Sequence, residues 1–292
     1  MVVTMRIPTS ALPLLVLMLV CCAYGLQNDA PSESQIREII RQSADKDVEN
    51  TLRERDYAYV RRNEERRLDG KGRVKSTESK TYEIMVLAGE RIEKLIAKND
   101  KPLSEKDARK EGEKIQKIVV KSQKETERDR RKRLEKTAKE VEEERLFVRE
   151  IADAYTFRFL RTEDLGGRPT YVIDADPVPG YKPRLKDAKV LSKLRFRVWI
   201  DKAESQWVQL DIECIDTVSW GLFLARIHKG STIHIEQARV NDEVWLPKRV
   251  ALKLDARIAL LKSLDMELDV TFRDYQKFQA NTTIRPLGEA PQ

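Results

Sequence analysis

From Lys193 to Phe278 apolar and polar residues alternate almost without a break. Leu194, Phe196, Val198 and Ile200 share one parity, and Val208, Leu210, Ile212 and Cys214 share the next. Val250, Leu252, Leu254, Ala256 and Ile258 repeat the pattern, followed by Leu264, Met266, Leu268, Val270 and Phe272. Between them stand Arg195, Arg197, Asp211, Glu213, Lys253, Asp255, Arg257, Glu267, Asp269 and Arg273. Strand side chains point to opposite faces with period two, so each run predicts a strand with one apolar and one wet face. Several such strands joined by short turns predict one antiparallel sheet with a continuous apolar face. What covers that face is the functional question.

The N-terminus reads as an export signal. Met1 to Arg6 is weakly basic, Ile7 to Cys22 is apolar and uncharged, and Ala23-Tyr24-Gly25 offers small residues where a signal peptidase cuts. The apolar core falls short of the roughly 20 residues of a membrane span. Cleavage after Gly25 is the expectation. An uncleaved N-terminal anchor and lipidation at Cys21 or Cys22 are the alternatives, although neither cysteine follows the small residue that a lipidation signal uses. Each outcome takes the chain out of the cytoplasm, to the periplasm. Residues 26–292 are expected to form one domain.

Cleavage would remove two of the three cysteines and leave Cys214 on the apolar parity of its strand, where a lone Cys acts as a small hydrophobe. No disulfide framework is then possible, and a catalytic thiol would want a polar setting with a His. The net charge is +7 with 36% charged residues. Both signs are spread along the whole chain, and no basic stripe interleaves with aromatics. That excludes a nucleic-acid partner and leaves weak attraction to anionic lipid.

A helix is expected from Glu33 to Arg53, capped by Ser32 or Ser34, with Ile36, Ile39 and Ile40 on one face. Tyr57-Ala58-Tyr59-Val60 opens the first strand and Asp69-Gly70-Lys71-Gly72 turns it. Arg73–Lys80 and Thr81–Ala88 read as two further strands, with a weaker one from Arg91 to Ala97. Residues 103–151 form a charged insertion with a single glycine, Gly112, and a capping signal at Ser104 and Asp107. Leu134, Val141 and Val148 recur every seven residues, yet Lys121–Arg133 contains no apolar residue. One or two helices touching the body at both ends, with a solvated middle, fit this better than a coiled coil. The second half predicts strands at Ala154–Arg161 and Arg168–Ala175, a short helix near Lys186–Leu191, and hairpin turns at Lys229-Gly230 and Asn241-Asp242. The pieces total about ten strands.

No motif for nucleophilic, metal or phosphate chemistry is present, so no catalytic residue, metal site or cofactor is assigned. His228 and His234, with Glu236, make a conceivable metal corner that lacks a third strong ligand. Asp201, Asp211, Glu213 and Asp216 fall on the polar parity beside Arg195 and Arg197 and read as a solvated charge face. Trp199, Trp207, Trp220 and Trp245 are compatible either with ordinary packing against covering helices or with the rim of an apolar ligand site.

Trp199-Ile200-Asp201 followed by an alternating strand, then Val244-Trp245-Leu246-Pro247 and two more strands, resembles the outer-membrane lipoprotein-sorting family, the LolA-like periplasmic carriers. The chain is also similar to uncharacterised exported bacterial proteins that share Gly167-Arg168-Pro169, Pro179-Gly180-Tyr181 and Val240-Asn241-Asp242-Glu243-Val244-Trp245-Leu246-Pro247. The likeness is best over Tyr155–Phe278 and weaker over Tyr57–Leu95, and the insertion departs from it. It implies an incomplete antiparallel barrel, of α+β class, whose concave apolar face is lidded by helices and accepts acyl chains. The residues assigned to that face are Phe196, Val198, Leu210, Ile212, Leu252, Leu254, Met266 and Leu268. The expected function is non-catalytic binding or carriage of a lipid or lipoprotein acyl chain. The alternative is a cell-envelope interaction module whose face is filled by its own helices and whose charged helix docks an envelope protein. Residues 121–133 are the segment expected to meet such a partner or an anionic membrane surface.

Overall fold

The computed structural model describes residues 30–87, 90–220, 225–258 and 262–278. The expected signal, with Cys21, Cys22 and Gly25, lies outside the described residues. Among the described residues there are three α-helices, one 3-10 helix and thirteen strands: α1 (Glu33–Glu54), β1 (Tyr57–Leu68), β2 (Val74–Leu87), β3 (Glu90–Lys98), β4 (Lys101–Pro102), α2 (Glu105–Gln123) and α3 (Glu127–Ala154) in the first half. Then come β5 (Tyr155–Asp164), β6 (Pro169–Pro177), the 3-10 helix (Asp187–Lys193), β7 (Leu194–Asp201), β8 (Trp207–Cys214), β9 (Val218–Trp220), β10 (Ala225–Ile227), β11 (Thr232–Val240), β12 (Val244–Ile258) and β13 (Lys262–Lys277). All strands join one antiparallel sheet, strongly bent but not closed into a barrel, in the order β4-β3-β2-β1-β13-β12-β11-β8-β7-β6-β5. The short β9 and β10 pair with each other and, through β10, with β12.

Two readings of the sequence change. The predicted break near Lys80 does not exist: β2 runs from Val74 to Leu87, paired to β1 along one side. Ser79, Lys80 and Thr81 are paired with β1 on one side and face the β3–β4 hairpin on the other, where the Ser79 N–H donates to Asn99 Oδ1 at 2.9 Å and its carbonyl accepts the Asn99 N–H, so the strand continues. The second change is β4, which follows Asn99-Asp100, both with positive φ (49° and 58°). Asn and Asp tolerate that region, so a two-residue hairpin forms without glycine.

The two sheet edges, β4 and β5, are consecutive in sequence apart from the helices between them, so α2 and α3 carry the chain from one edge to the other. With 28 residues, α3 spans about 42 Å at 1.5 Å per residue. Ser104 caps α2 by accepting the Asp107 N–H at 3.2 Å, and Thr126 caps α3 from the Asp129 N–H, also at 3.2 Å. Asp107 does not complete the predicted box; its carboxylate reaches Lys98 instead. The joint between the helices is clamped by Arg133, whose guanidinium donates two bonds to Glu125 at 2.8 and 2.9 Å. No residue of α2 is buried, and in α3 burial is confined to Glu150, Ala152 and Ala154. The middle of this hairpin is therefore solvated, as a segment without apolar residues must be.

Helix α1 begins with a complete capping box: the Ser32 hydroxyl accepts the Gln35 N–H while the Gln35 side chain accepts the Ser32 N–H. Ile36, Ile40, Ala44 and Val48, four residues apart, form its buried stripe. Ile36 and Ile40 pack with Ala152 and Ala154 of α3, Ala188 and Leu191 of the 3-10 helix, and Tyr155, Phe157, Ile173, Val198 and Ile200 of β5–β7. This is the main core. It seals one half of the apolar sheet face.

The opposite face carries ladders of paired charges beside one small apolar cluster around Val172 and Trp199. Asp174 receives Arg158 at 2.9 Å and Arg197 at 2.6 Å, Arg195 pairs with Glu213 at 2.7 Å, and Arg249 pairs with Asp269 at 2.5 Å. Cross-strand opposite charges contribute roughly 0.2–1 kcal/mol each, so the ladder sets register more than stability.

Candidate ligand-binding face

The strand register brings the predicted face residues together. Phe196 lies opposite Ile212 and Val198 opposite Leu210, while Leu252 lies opposite Leu268 and Leu254 opposite Met266. Directly opposed residues of an antiparallel pair share a face. The two groups are joined by β11, which contributes Ile233 opposite both Ile212 and Leu252, and Ile235 opposite both Leu210 and Val250. Ile233 and Ile235 were absent from the predicted set, although Thr232-Ile233-His234-Ile235-Glu236 shows the same alternation. The result is two apolar rows: Ala175, Phe196, Ile212, Ile233, Leu252, Leu268, and beside it Ile173, Val198, Leu210, Ile235, Val250, Val270.

The rows are not uniformly covered. Val198 is buried, and Phe196 and Leu210 pack against the core beneath α1 and α3. Ile212, Ile233, Leu252, Leu254, Met266 and Leu268 belong to none of the packed clusters and are only half-buried. On β1 the rows end abruptly in polar residues: Asn63 opposes Val270, Glu65 opposes Leu268 and Arg67 opposes Met266. The open half of the face is thus an apolar strip with a polar border on one side. Buried side-chain atoms without a hydrogen-bond partner, Asn63 Oδ1 and Arg61 Nε, lie along that border.

The strap over the other half is held by a polar seam. The Trp207 indole N–H donates to Asp47 of α1 at 2.7 Å, and Asn50 donates to Gln206 at 2.8 Å. Gln206, 1% exposed, donates on to Gln237 at 3.1 Å. Burial pushes the Asp47 carboxyl up to about 6, against the lowering effect of the Trp207 and Gln237 bonds. Buried Glu150 does similar work on α3, accepting the N–H groups of Arg184 and Leu185 and the hydroxyl of Tyr181.

The tryptophans do not form a common rim. Trp207 lies under α1, whereas Trp199 and Trp245 pack on the charged side of the sheet with Val172 and Val208. The Arg168 guanidinium stacks 5.3 Å from the Trp245 ring and pairs with Asp201 and Glu204, both at 2.7 Å. Asp201 is 1% exposed, so it is not part of the solvated charge face to which its parity assigned it. It takes two backbone N–H groups of the Ala203–Glu204 turn; burial pushes its carboxyl up, but Arg168 and these N–H groups together outweigh it and hold the carboxyl low. Beyond Trp220 the chain passes through 221–224, outside the described residues.

The histidines have separate partners. His228 bonds Asp255 at 2.7 Å, and His234 sits between Asp211 and Glu236. Burial lowers the His234 pKa, but the two carboxylates reverse this and raise it. Among the described residues no group of three or more His, Cys, Asp and Glu is placed to hold a metal ion. Cys214 is buried, donates to the Asp216 carbonyl at 2.9 Å, and is pushed up by burial. That is the environment of an inert thiol.

By sequence, no protein-family profile and no curated protein matches the chain. By structure it is similar to a LolA superfamily protein of Nitrosomonas europaea, with 10% identity and a TM-score of 0.32 over 87% of this chain and 96% of the other. It is also similar to an outer-membrane lipoprotein-sorting protein domain of Vibrio parahaemolyticus, at 11% identity and a TM-score of 0.29 over 84% and 95% of the two chains. A third likeness is to a DUF1329 family protein of Desulfovibrio piger, at 9% identity and a TM-score of 0.29, again over 84% and 95%. No helix among the described residues is long and apolar enough to cross a membrane.

Proposed function

We propose that this protein is a non-catalytic binding protein of the cell envelope that holds an acyl chain of a lipid or lipoprotein on the open half of its sheet. The observation that carries this reading is the half-buried row Ile212–Ile233–Leu252–Leu268, flanked by Leu254 and Met266 and outside the packed core. Burying an acyl chain there contributes about 0.8 kcal/mol per CH₂. The polar border on β1 favours one orientation, with the head group toward Asn63 and Arg67. Transfer needs no bond making, only a difference in affinity between two states of the protein. Mass spectrometry of an organic extract of the purified protein tests this directly. Co-purifying lipid and saturable binding of a fluorescent fatty acid are expected; neither appearing would defeat the carrier reading. The covering of Val198, Phe196 and Leu210 by the protein's own helices favours the second reading, an envelope interaction module. On that reading the charged helix docks an envelope protein and the fatty-acid probe does not bind at all.

A further inference from the structure

A groove of about 910 Å³ lies between β3 and the α2–α3 hairpin, away from the sheet face discussed above. Its floor is apolar: Ile92 is 3% exposed, Ile118 is half-buried, and Val120 is 37% exposed although it sits on a highly charged helix. Its wall carries Lys117, Lys121 and Lys124, spaced four and three residues apart and so on one side of the α2 end. All three are exposed, and none makes an ion pair with another described residue. The remaining charges of the groove are engaged: Arg91 pairs with Glu54, Arg133 with Glu125, and Asp129 caps its own helix with Thr126. The groove is therefore apolar below and cationic along one rim. The basic run Arg128–Arg133 at the start of α3 does not share this property, since Arg130 and Arg131 bridge to Glu127 and Glu135 on their own helix.

We infer that this groove is a second binding site, for a single-chain anionic amphiphile taken up as a monomer, its phosphate or carboxylate head on Lys117, Lys121 and Lys124 and its chain over Ile118 and Val120. Cations near a helix C-terminus also complement the helix dipole, but that effect is confined to the last turn and explains neither Lys117 nor the exposed Val120. A volume of this size suits one such molecule.

Titration calorimetry of the full chain with dodecyl phosphate, kept below its micelle concentration, tests the site. The triple change Lys117→Gln, Lys121→Gln, Lys124→Gln should weaken binding by about tenfold or more. Val120→Ser should weaken it several-fold, and inorganic phosphate and dodecyl maltoside should both bind far more weakly than dodecyl phosphate. Far-UV circular dichroism matching the wild type shows that α2 is retained in the variants. Equal affinity of wild type and triple variant, or dodecyl maltoside binding as tightly as the phosphate, overturns the inference. If Leu252→Ala rather than the lysine changes abolishes binding, the amphiphile sits on the sheet; the groove is then excluded while the sheet reading stands. If the lysine changes reduce sedimentation with phosphatidylglycerol vesicles alone, the lysines contact a membrane surface, and the monomer site is likewise excluded.

Discussion

The two halves of the apolar face are built from the same kind of strand and differ in what lies over them. On β5–β8, Phe157, Ile173, Val198 and Ile200 are sealed by α1, the end of α3 and the 3-10 helix. On β11–β13, Ile233, Leu252, Leu254, Met266 and Leu268 show the same alternation and the same register but stay half-exposed. A buried aliphatic side chain contributes to folding, whereas a half-exposed one retains surface that a ligand can remove from water. The division between covered and uncovered surface thus runs across a single sheet face: α1 crosses β11 and β12 only at their Gln237 and Trp245 ends and leaves the Ile233–Leu252–Leu268 row uncovered.

The sharpest way to break that comparison is to truncate one residue in each half. Ile173→Ala, on the covered side and 0% exposed, should cost about 2–5 kcal/mol of unfolding free energy in a denaturant titration and leave fatty-acid probe affinity intact. A cost below about 1 kcal/mol there would mean that the helices do not seal this half.

The polar seam of α1 gives the next largest effect. Asp47 has a folded pKa near 6, above the ordinary carboxylate value, so the folded protein binds more protons than the unfolded chain between about pH 4 and 6. Its contribution therefore favours folding most at low pH and is lost as pH rises through 6. Asp47→Asn keeps an acceptor for the Trp207 N–H and removes the titration. It should stabilise the protein by about 1–2 kcal/mol at pH 7.5 and flatten the pH dependence of the melting temperature between 4 and 6. An unchanged slope would show that the seam is open to water and that α1 does not close the covered half.

Leu254→Ala, on the open side, should cost no more than about 1 kcal/mol while lowering probe affinity several-fold. A fall in melting temperature as large as that of Ile173→Ala, with no change in binding, would erase the distinction between the halves. The smallest effect is expected in the α3 N-terminal turns, remote from both. Changing Arg128, Arg130, Arg131 and Lys132 to Gln should leave the melting temperature unchanged within error, because their pairs are solvated and within one helix. Arg133 is left intact in this variant because it clamps the helix joint through Glu125.

Much of the sheet was legible beforehand because period-two alternation is a local property. Phe196, Val198, Leu210, Ile212, Leu252, Leu254, Met266 and Leu268 share one face of the sheet, since parity within a strand does not depend on which strand pairs with it. The α1 cap at Ser32 and the solvated hairpin were legible for the same reason: capping and the absence of apolar residues act within a few positions. A polar stretch such as Ser79–Thr81 reads as a break between two strands, yet pairing with β1 on one side and with β3 and Asn99 on the other carries the strand through it. Asp201 slipped too: its parity is right, but Arg168, 33 positions away in sequence, draws it out of the solvent.

What the residues could not specify was order and cover. Nothing in the local pattern says that β13 pairs with β1, or that β11 sits between β8 and β12 and so joins two separate apolar groups through Ile233 and Ile235. Nor does it say that α1 packs with Val198 and crosses β12 at Glu243–Trp245, leaving Leu252 outside the packed clusters. Alternation determines that a strand has an apolar face. Whether that face becomes core or binding surface depends on contacts between residues more than a hundred positions apart, such as Arg37 with the Ala152 carbonyl and Asp47 with Trp207, which exist only once the chain has closed on itself.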